Sequence, residues 1–162
     1  MFLQKIESKI HHLKGQKVMF DFDLAEMYEV ETRALKQAVK RNIYKFPEDF
    51  IFLLKESEIK EMVSQFVIPS KSYLGGAIPM AFSEQGVAML STILKSKKAI
   101  EVNITIIRAF VIIRQYALTY KELSDKLKSL EGKFTDVYEA INYLLEKDKI
   151  QTNQKERVQI GF

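Results

Sequence analysis

The chain contains no cysteine, which excludes disulfides and thiolate metal sites. His11 and His12 are its two imidazoles, so a histidine-based catalytic or metal site has almost no material. As neighbours on a strand they point to opposite faces; a structural role is expected for both, with no metal and no cofactor. No apolar run approaches the ~20 residues that span a bilayer. The opening Met1-Phe2-Leu3-Gln4-Lys5-Ile6-Glu7 lacks the long apolar core of a secretion signal. A cytoplasmic protein without membrane contact is expected. One further absence is local. Between Arg33 and Lys45 there is no acid, and acids resume only at Glu48, Asp49, Glu56, Glu58 and Glu61.

What is present suits a folded protein. The 162 residues are 47% hydrophobic and 28% charged, enough for one compact domain with a core and an extension. A net charge of +4 selects no partner by itself. Its placement does: Arg33, Lys36, Lys40, Arg41 and Lys45 concentrate the positive charge on one element, as an electrostatic footprint for nucleic acid requires.

The stretch from Leu24 to Asn42 reads as two short helices meeting at a sharp turn. Asp23 stands where an N-cap belongs, one residue before the apolar pattern. Leu24, Ala25 and Tyr28 would face the interior, and the small Ala25 lets the second helix cross closely. Glu29 takes the turn position that favours a left-handed backbone, at about 1–2 kcal/mol for a residue other than glycine. Val30 and Leu35 would close the wedge, with Ala38 and Val39 completing the buried face. The opposite face, Thr32, Arg33, Lys36, Gln37, Lys40 and Arg41, recurs at spacings of three and four. Arg and Lys can address guanine edges or phosphates, Gln can address adenine, and Thr can cap the helix and touch a phosphate. The second helix is expected to run from Thr32 to Lys45, Phe46-Pro47 ending it. This is the pattern of a helix-turn-helix that enters DNA. An alternative reading takes Asp21, Asp23 and Glu26 as Mg²⁺ ligands of a nuclease. The capping role of Asp23 is preferred, and no enzymatic activity is expected.

Around this centre, Ile10–Leu13 and Lys17–Phe20 form a hairpin across Lys14-Gly15-Gln16. Phe50–Leu54 reads as a strand buried on both faces. Ile59, Met62, Val63 and Phe66 mark an amphipathic helix. The loop from Pro69 to Gly76 leads to a second strand, Ala77–Phe82, which Pro79 would restrict to a sheet edge. Ser70, Lys71 and Ser72 would then tip a wing-like hairpin able to touch DNA. Ser83 caps a helix with Val87, Leu90, Ile93 and Leu94 inward, and Ser96 caps the next, in which Ile100, Ile104, Ile107, Val111 and Arg114 share a face. Further on, Ile113, Tyr116, Tyr120, Leu123, Leu127, Leu130, Phe134, Val137, Ile141 and Leu144 alternate spacings of three and four. That is a heptad seam suited to self-association, with Lys126 and Glu131 on flanking positions that a parallel partner could pair. From Gln151 onward a loose basic tail is expected. The division is residues 1–95 as a DNA-binding domain, 96–150 as a long helical dimerisation segment, and 151–162 as tail. The fold class is α+β: a helix-turn-helix or winged-type domain with a small antiparallel sheet, then a long coiled-coil-like helix.

Several stretches together resemble a known family: Val18-Met19-Phe20-Asp21, Asp23-Leu24-Ala25-Glu26-Met27-Tyr28, Val39-Lys40-Arg41-Asn42, Phe46-Pro47-Glu48-Asp49-Phe50 and Phe82-Ser83-Glu84-Gln85-Gly86-Val87-Ala88-Met89-Leu90. They are similar to the ORF6N domain, a DNA-binding domain of phage and bacterial proteins related to the KilA-N group. Ala99-Ile100-Glu101-Val102-Asn103 and Ile107-Arg108-Ala109-Phe110 resemble its usual continuation, so coverage runs roughly from Ile10 to Arg114. Bacterial members often carry a C-terminal helical segment and a short tail like Ile160-Gly161-Phe162. Where the family has Gly after the Tyr, this chain has Glu29. The resemblance implies a prophage-type regulator or antirepressor-like protein and supplies no reaction. Two readings stay open. In one, a homodimer reads double-stranded DNA through the Thr32–Lys45 helix. In the other, the chain is an interaction module whose C-terminal helix captures a phage or host regulatory protein such as a repressor.

Overall fold

A computed structural model describes residues 2–160. They divide into two compact units, one ending at Arg114 and the other starting at Gln115. The first holds α1 (Phe2–Glu7), β1 (His11–Leu13), β2 (Gln16–Phe20), α2 (Asp21–Tyr28), α3 (Thr32–Arg41), β3 (Ile51–Leu53), α4 (Glu56–Ser64), β4 (Met80–Ser83), α5 (Glu84–Leu90) and the start of α6 (Lys97–Ile160). Single 3-10 turns lie at Ile43–Lys45 and Lys71–Leu74. The class is α+β, a small antiparallel sheet with a long C-terminal helix.

The four strands pair antiparallel in the order β1-β2-β4-β3. β1 and β2 form the expected hairpin, with His12 opposite Lys17. Lys14 and Gly15 make its turn at φ +52° and +76°; both are left-handed, as a two-residue loop that matches strand twist requires. Alternation then sorts the strand residues between two cores. Met19, Met80 and Phe82 face the larger one, built with α1, α2, α3, α5 and the first turns of α6. Val18, Phe20 and Ala81 face the smaller one, closed by Ile59 and Met62 of α4 and by Ile68.

Three strand expectations are corrected. The strands buried on both faces are β2 and β4, while the segment after Phe50 forms the edge strand β3, whose Leu53 is 54% exposed. β4 is interior despite Pro79, because the proline precedes the first ladder residue and removes no ladder N–H. β3 and β4 do pair, but their connection runs through α4 and a 3-10 turn. Ser70, Lys71 and Ser72 therefore do not tip a simple two-stranded wing.

The helices show the same mixture. α4 ends at Ser64, and the chain turns left-handed at Phe66 (φ +59°), leaving that ring 90% exposed while Ile68 fills the core instead. Ser83 caps α5, its hydroxyl accepting the Gly86 N–H at 3.3 Å and donating to the Phe50 carbonyl at 3.2 Å. α5 stops at Leu90, so Ile93 and Leu94 follow in turns and are half-buried rather than on the helix. Ser96 caps α6, accepting the Ala99 N–H at 3.1 Å. α6 buries Ala99, Val102, Ile106, Ala109 and Phe110. The Ile100, Ile104 and Val111 row is helical but exposed, with Ile107 partly buried. Arg114 ion-pairs with Glu84.

In the second unit α6 is helical to Ile160, so the segment expected as a loose tail from Gln151 is part of the helix; Gly161 and Phe162 lie outside the described residues. Tyr120, Leu123, Leu127, Leu130, Phe134, Val137, Ile141 and Leu144 are between 49% and 76% exposed. α6 also contains an 18-residue window of mean hydropathy 1.2, long and apolar enough by length and composition to cross a membrane, contrary to the reading of apolar runs above. Of that window 28% is buried in the protein.

Gly86 shows how tightly α5 seats. A Cβ there would collide with the backbone carbonyl of Phe50, with the Ile51 side chain at 3.4 Å behind it. Because the obstacle is backbone, Gly86→Ala is expected to lose about 3 kcal/mol, the upper end of overpacking costs. Urea unfolding followed by circular dichroism checks this, and a loss below about 1 kcal/mol would show that the junction relaxes.

Candidate nucleic-acid interface

α2 begins at Asp21, immediately after β2, so Asp23 lies inside the helix and is not its N-cap; Phe20 occupies that position without a side-chain cap. Leu24, Ala25 and Tyr28 are buried as expected. The turn also follows expectation. Glu29 adopts φ +57°, ψ +42°, and the Val30 N–H donates to the Ala25 carbonyl at 3.0 Å. The Glu29 carboxylate, on the outside of this turn, pairs with Lys98. Val30 is only partly covered, so Leu35 and Val39, both buried, anchor α3 without it, while Ala38 is half-buried.

α3 starts with Glu31 as N-cap and no side-chain cap, which makes Thr32 the first helical residue rather than the capping one. The helix ends at Arg41, short of Lys45. The Asn42 side chain donates to the Ala38 carbonyl at 2.9 Å, and the chain continues as a 3-10 turn. Phe46 then drops into the core, edge-to-face with Phe82. Lys45 thus belongs to the turn, where its ammonium lies 3.4 Å from the Thr92 hydroxyl.

Tyr28 ties this motif to α6. Its hydroxyl donates to Asn103 Oδ1 at 2.9 Å in a buried setting. Burial pushes the phenol pKa well above its ordinary value, so it remains a donor.

Asp21 supplies the second tie. It is 1% exposed, and its oxygens accept the Phe22 N–H at 2.9 Å and the Met80 N–H at 3.1 Å. Lys36 Nζ lies 3.0 Å from Asp21 Oδ2 and donates to the Ile78 carbonyl at 2.6 Å. Burial raises the Asp21 pKa, opposed by Lys36 and the two backbone donors. Lys36, expected on the DNA-facing side, is instead drawn over this carboxylate, its side chain 16% exposed. The other two acids of the alternative nuclease trio also have basic partners: Asp23 meets Lys9 at 2.6 Å and His11 at 3.6 Å, and Glu26 meets Lys9 at 2.8 Å and Lys5 at 3.0 Å. Lys9 and Lys5 hold the Glu26 carboxyl below its usual range.

The remaining basic face stays open. Arg33, Gln37, Lys40 and Arg41 are exposed, Thr32 is half-buried, and neither Arg33, Lys40 nor Arg41 ion-pairs among the described residues. Arg33, Gln37 and Lys40 line a cleft of about 600 Å³ whose other lining includes Phe22, Tyr73, Leu74, Ala77 and Pro79. Sequence reasoning missed these last five: Tyr73 and Leu74 lie in the polar loop, Ala77 and Pro79 in the expected second strand, and Phe22 between the acids Asp21 and Asp23. Of the expected wing residues, Ser70 accepts the Tyr73 N–H at 3.2 Å, Ser72 lies 2.8 Å from the Ser70 hydroxyl, and Lys71 pairs with Glu56. The three hold the loop's shape and are absent from the cleft lining.

The Asp21 pair generates a signed prediction. Lys36→Ala leaves a buried carboxylate unpaired and is expected to lose about 3 kcal/mol at neutral pH. A carboxyl whose folded pKa is raised contributes most to stability at low pH and loses that contribution as pH rises through the folded value. The deficit of Lys36→Ala should therefore shrink in acid, where Asp21 takes up a proton, and Asp21→Asn should rescue it. Urea midpoints at neutral and acid pH decide this, and an equal deficit at both would detach Lys36 from Asp21.

A model of the ORF6N domain matches residues 8–93. The match takes in β1 through α5, hence the whole α2–turn–α3 unit and the sheet that carries it. It ends before α6, so the expected continuation at Ala99–Asn103 and Ile107–Phe110 falls outside it. No curated protein and no solved structure gives a significant match. With more than half of its length matched, the chain belongs to the ORF6N domain family.

Proposed function

We propose that this chain is a sequence-specific DNA-binding protein of the cytoplasm, a prophage-type transcriptional regulator or antirepressor-like protein that engages double-stranded DNA as a homodimer. The observation that carries the reading is the α3 face: exposed Arg33, Gln37, Lys40 and Arg41, unpaired by acids among the described residues, on a helix anchored from behind by Leu35 and Val39. The roles divide by chemistry. Lys40 and Arg41 hold phosphates and supply salt-dependent affinity. Arg33 and Gln37 present the hydrogen-bonding groups that distinguish guanine and adenine edges. Lys36 leaves the list of base-reading candidates because its ammonium is committed to Asp21 and Ile78. The chemistry is recognition, without catalysis, cofactor or metal.

The exposed seam from Tyr120 to Leu144 supports the dimer, since a heptad stripe of this length is stabilised by a second helix. Two α3 helices held at a set spacing bind a two-fold repeated site far better than one. The same seam supports a second reading, in which it captures a regulatory protein and α3 reads nothing.

Selection from a random DNA pool at stated salt tests the proposal, and a two-fold repeated sequence is the expected product. Lys40→Ala should weaken every sequence alike and lower the salt slope by about one; Arg33→Ala should erode preference by about 1–3 kcal/mol at one position. A pool that enriches nothing would move the reading to the interaction module. Independently, Leu127→Lys should convert a dimer to a monomer in light scattering, and an unchanged mass would remove the seam from self-association.

A further inference from the structure

We propose that the cleft between α3 and the Lys71–Pro79 segment takes one unstacked nucleotide of a DNA strand, with its base against Tyr73 and Gln37 and its phosphate on Lys40. The inference rests on the DNA-facing reading of α3 and adds a recognition mode to it.

α3 is not a free ridge along its whole length. Lys36 bridges its middle to the Ile78 carbonyl at 2.6 Å, so the backbone leading into β4 is tied beside the helix. What remains is a cleft of about 600 Å³, within the ~300–1,000 Å³ range of sites that enclose a small molecule. Its lining has a specific chemistry. The Tyr73 ring is more than half exposed and is braced edge-to-face by Phe22, centroids 5.8 Å apart at 88°. A base stacks on such a ring whatever its identity. From α3 come two cations without acidic partners among the described residues and, between them in sequence, the Gln37 amide. Lys40 lies three residues beyond Gln37 on the same face, ~4.5 Å along the axis, within reach of the phosphate of a base that Gln37 addresses. Gln37 offers a donor and an acceptor together, the complement of an adenine edge. The one carboxylate in the lining, Asp21, is paired with Lys36 and does not repel a phosphate strongly.

The test compares two labelled DNA duplexes by fluorescence anisotropy at low salt, where sequence-independent binding is measurable. They share one sequence, and one carries a single unpaired adenine. The bulged duplex is expected to bind at least about tenfold tighter, the scale of one base stacked on an aromatic ring. Tyr73→Ala should abolish that ratio and Tyr73→Phe should keep it, with circular dichroism confirming that both variants fold. Binding of both duplexes with a ratio near one overturns this proposal and leaves the DNA-binding function standing. A ratio unchanged in Tyr73→Ala overturns the assignment to this cleft. Binding of the bulged duplex alone supports the cleft and overturns duplex recognition, and binding of neither overturns both.

Discussion

The contact on which the arrangement depends is the buried ion pair between Asp21 and Lys36. Asp21 stands where β2 becomes α2, and one carboxylate there gathers the first turn of α2, the start of β4 and the middle of α3. Taking a carboxylate out of water is tolerable only when it is paired and hydrogen-bonded, so these segments are held in one mutual arrangement. That arrangement determines how α3 is rotated about its own axis. Leu35 and Val39 turn to the core, Lys36 lies over the junction, and Arg33, Gln37 and Lys40 are left facing outward.

The Tyr28–Asn103 hydrogen bond complements it from the other side of the motif. It joins the last turn of α2 to the first turns of α6 through two buried polar groups that satisfy one another. Such a bond adds about 1 kcal/mol of net stability, but either partner left alone costs more than that. Its larger effect is on specificity of packing: Asn103 belongs on the face of α6 that the domain covers, and the small Ala99 and Ala109 on that face allow close approach. The branched Ile100, Ile104 and Val111 are thereby left outside.

Much of the fold was legible locally. The left-handed turn at Glu29, the caps at Ser83 and Ser96, the Lys14-Gly15 hairpin and the helical period of α6 all depend on residues within a few positions of one another. The candidate site was legible to the same degree, as an amphipathic helix with Leu35 and Val39 opposite a basic face. The errors fall where partners are distant. Asp23 has a capping composition, yet the junction with β2 starts the helix three residues earlier. Pro79 suggests an edge, yet β4 is flanked on both sides because the proline sits one residue outside the ladder. Lys36 is chemically as suitable for DNA as Lys40, and only its meeting with Asp21 and Ile78 separates them.

The amino-acid sequence by itself determined the types of the main helices and strands between His11 and Leu90, the sharp turn between α2 and α3, the concentration of positive charge on one helix face and the heptad spacing of the C-terminal helix. These follow from backbone preference, capping chemistry and periodicity, which act over one or two turns of chain. Tertiary structure alone decided which cations stay free, which strands are covered on both faces, which side of α6 meets the core, and that Tyr73 and Phe22 share a cleft with α3. Those outcomes are competitions for the same buried space among residues far apart in sequence, and packing and the pairing of buried charge settle them.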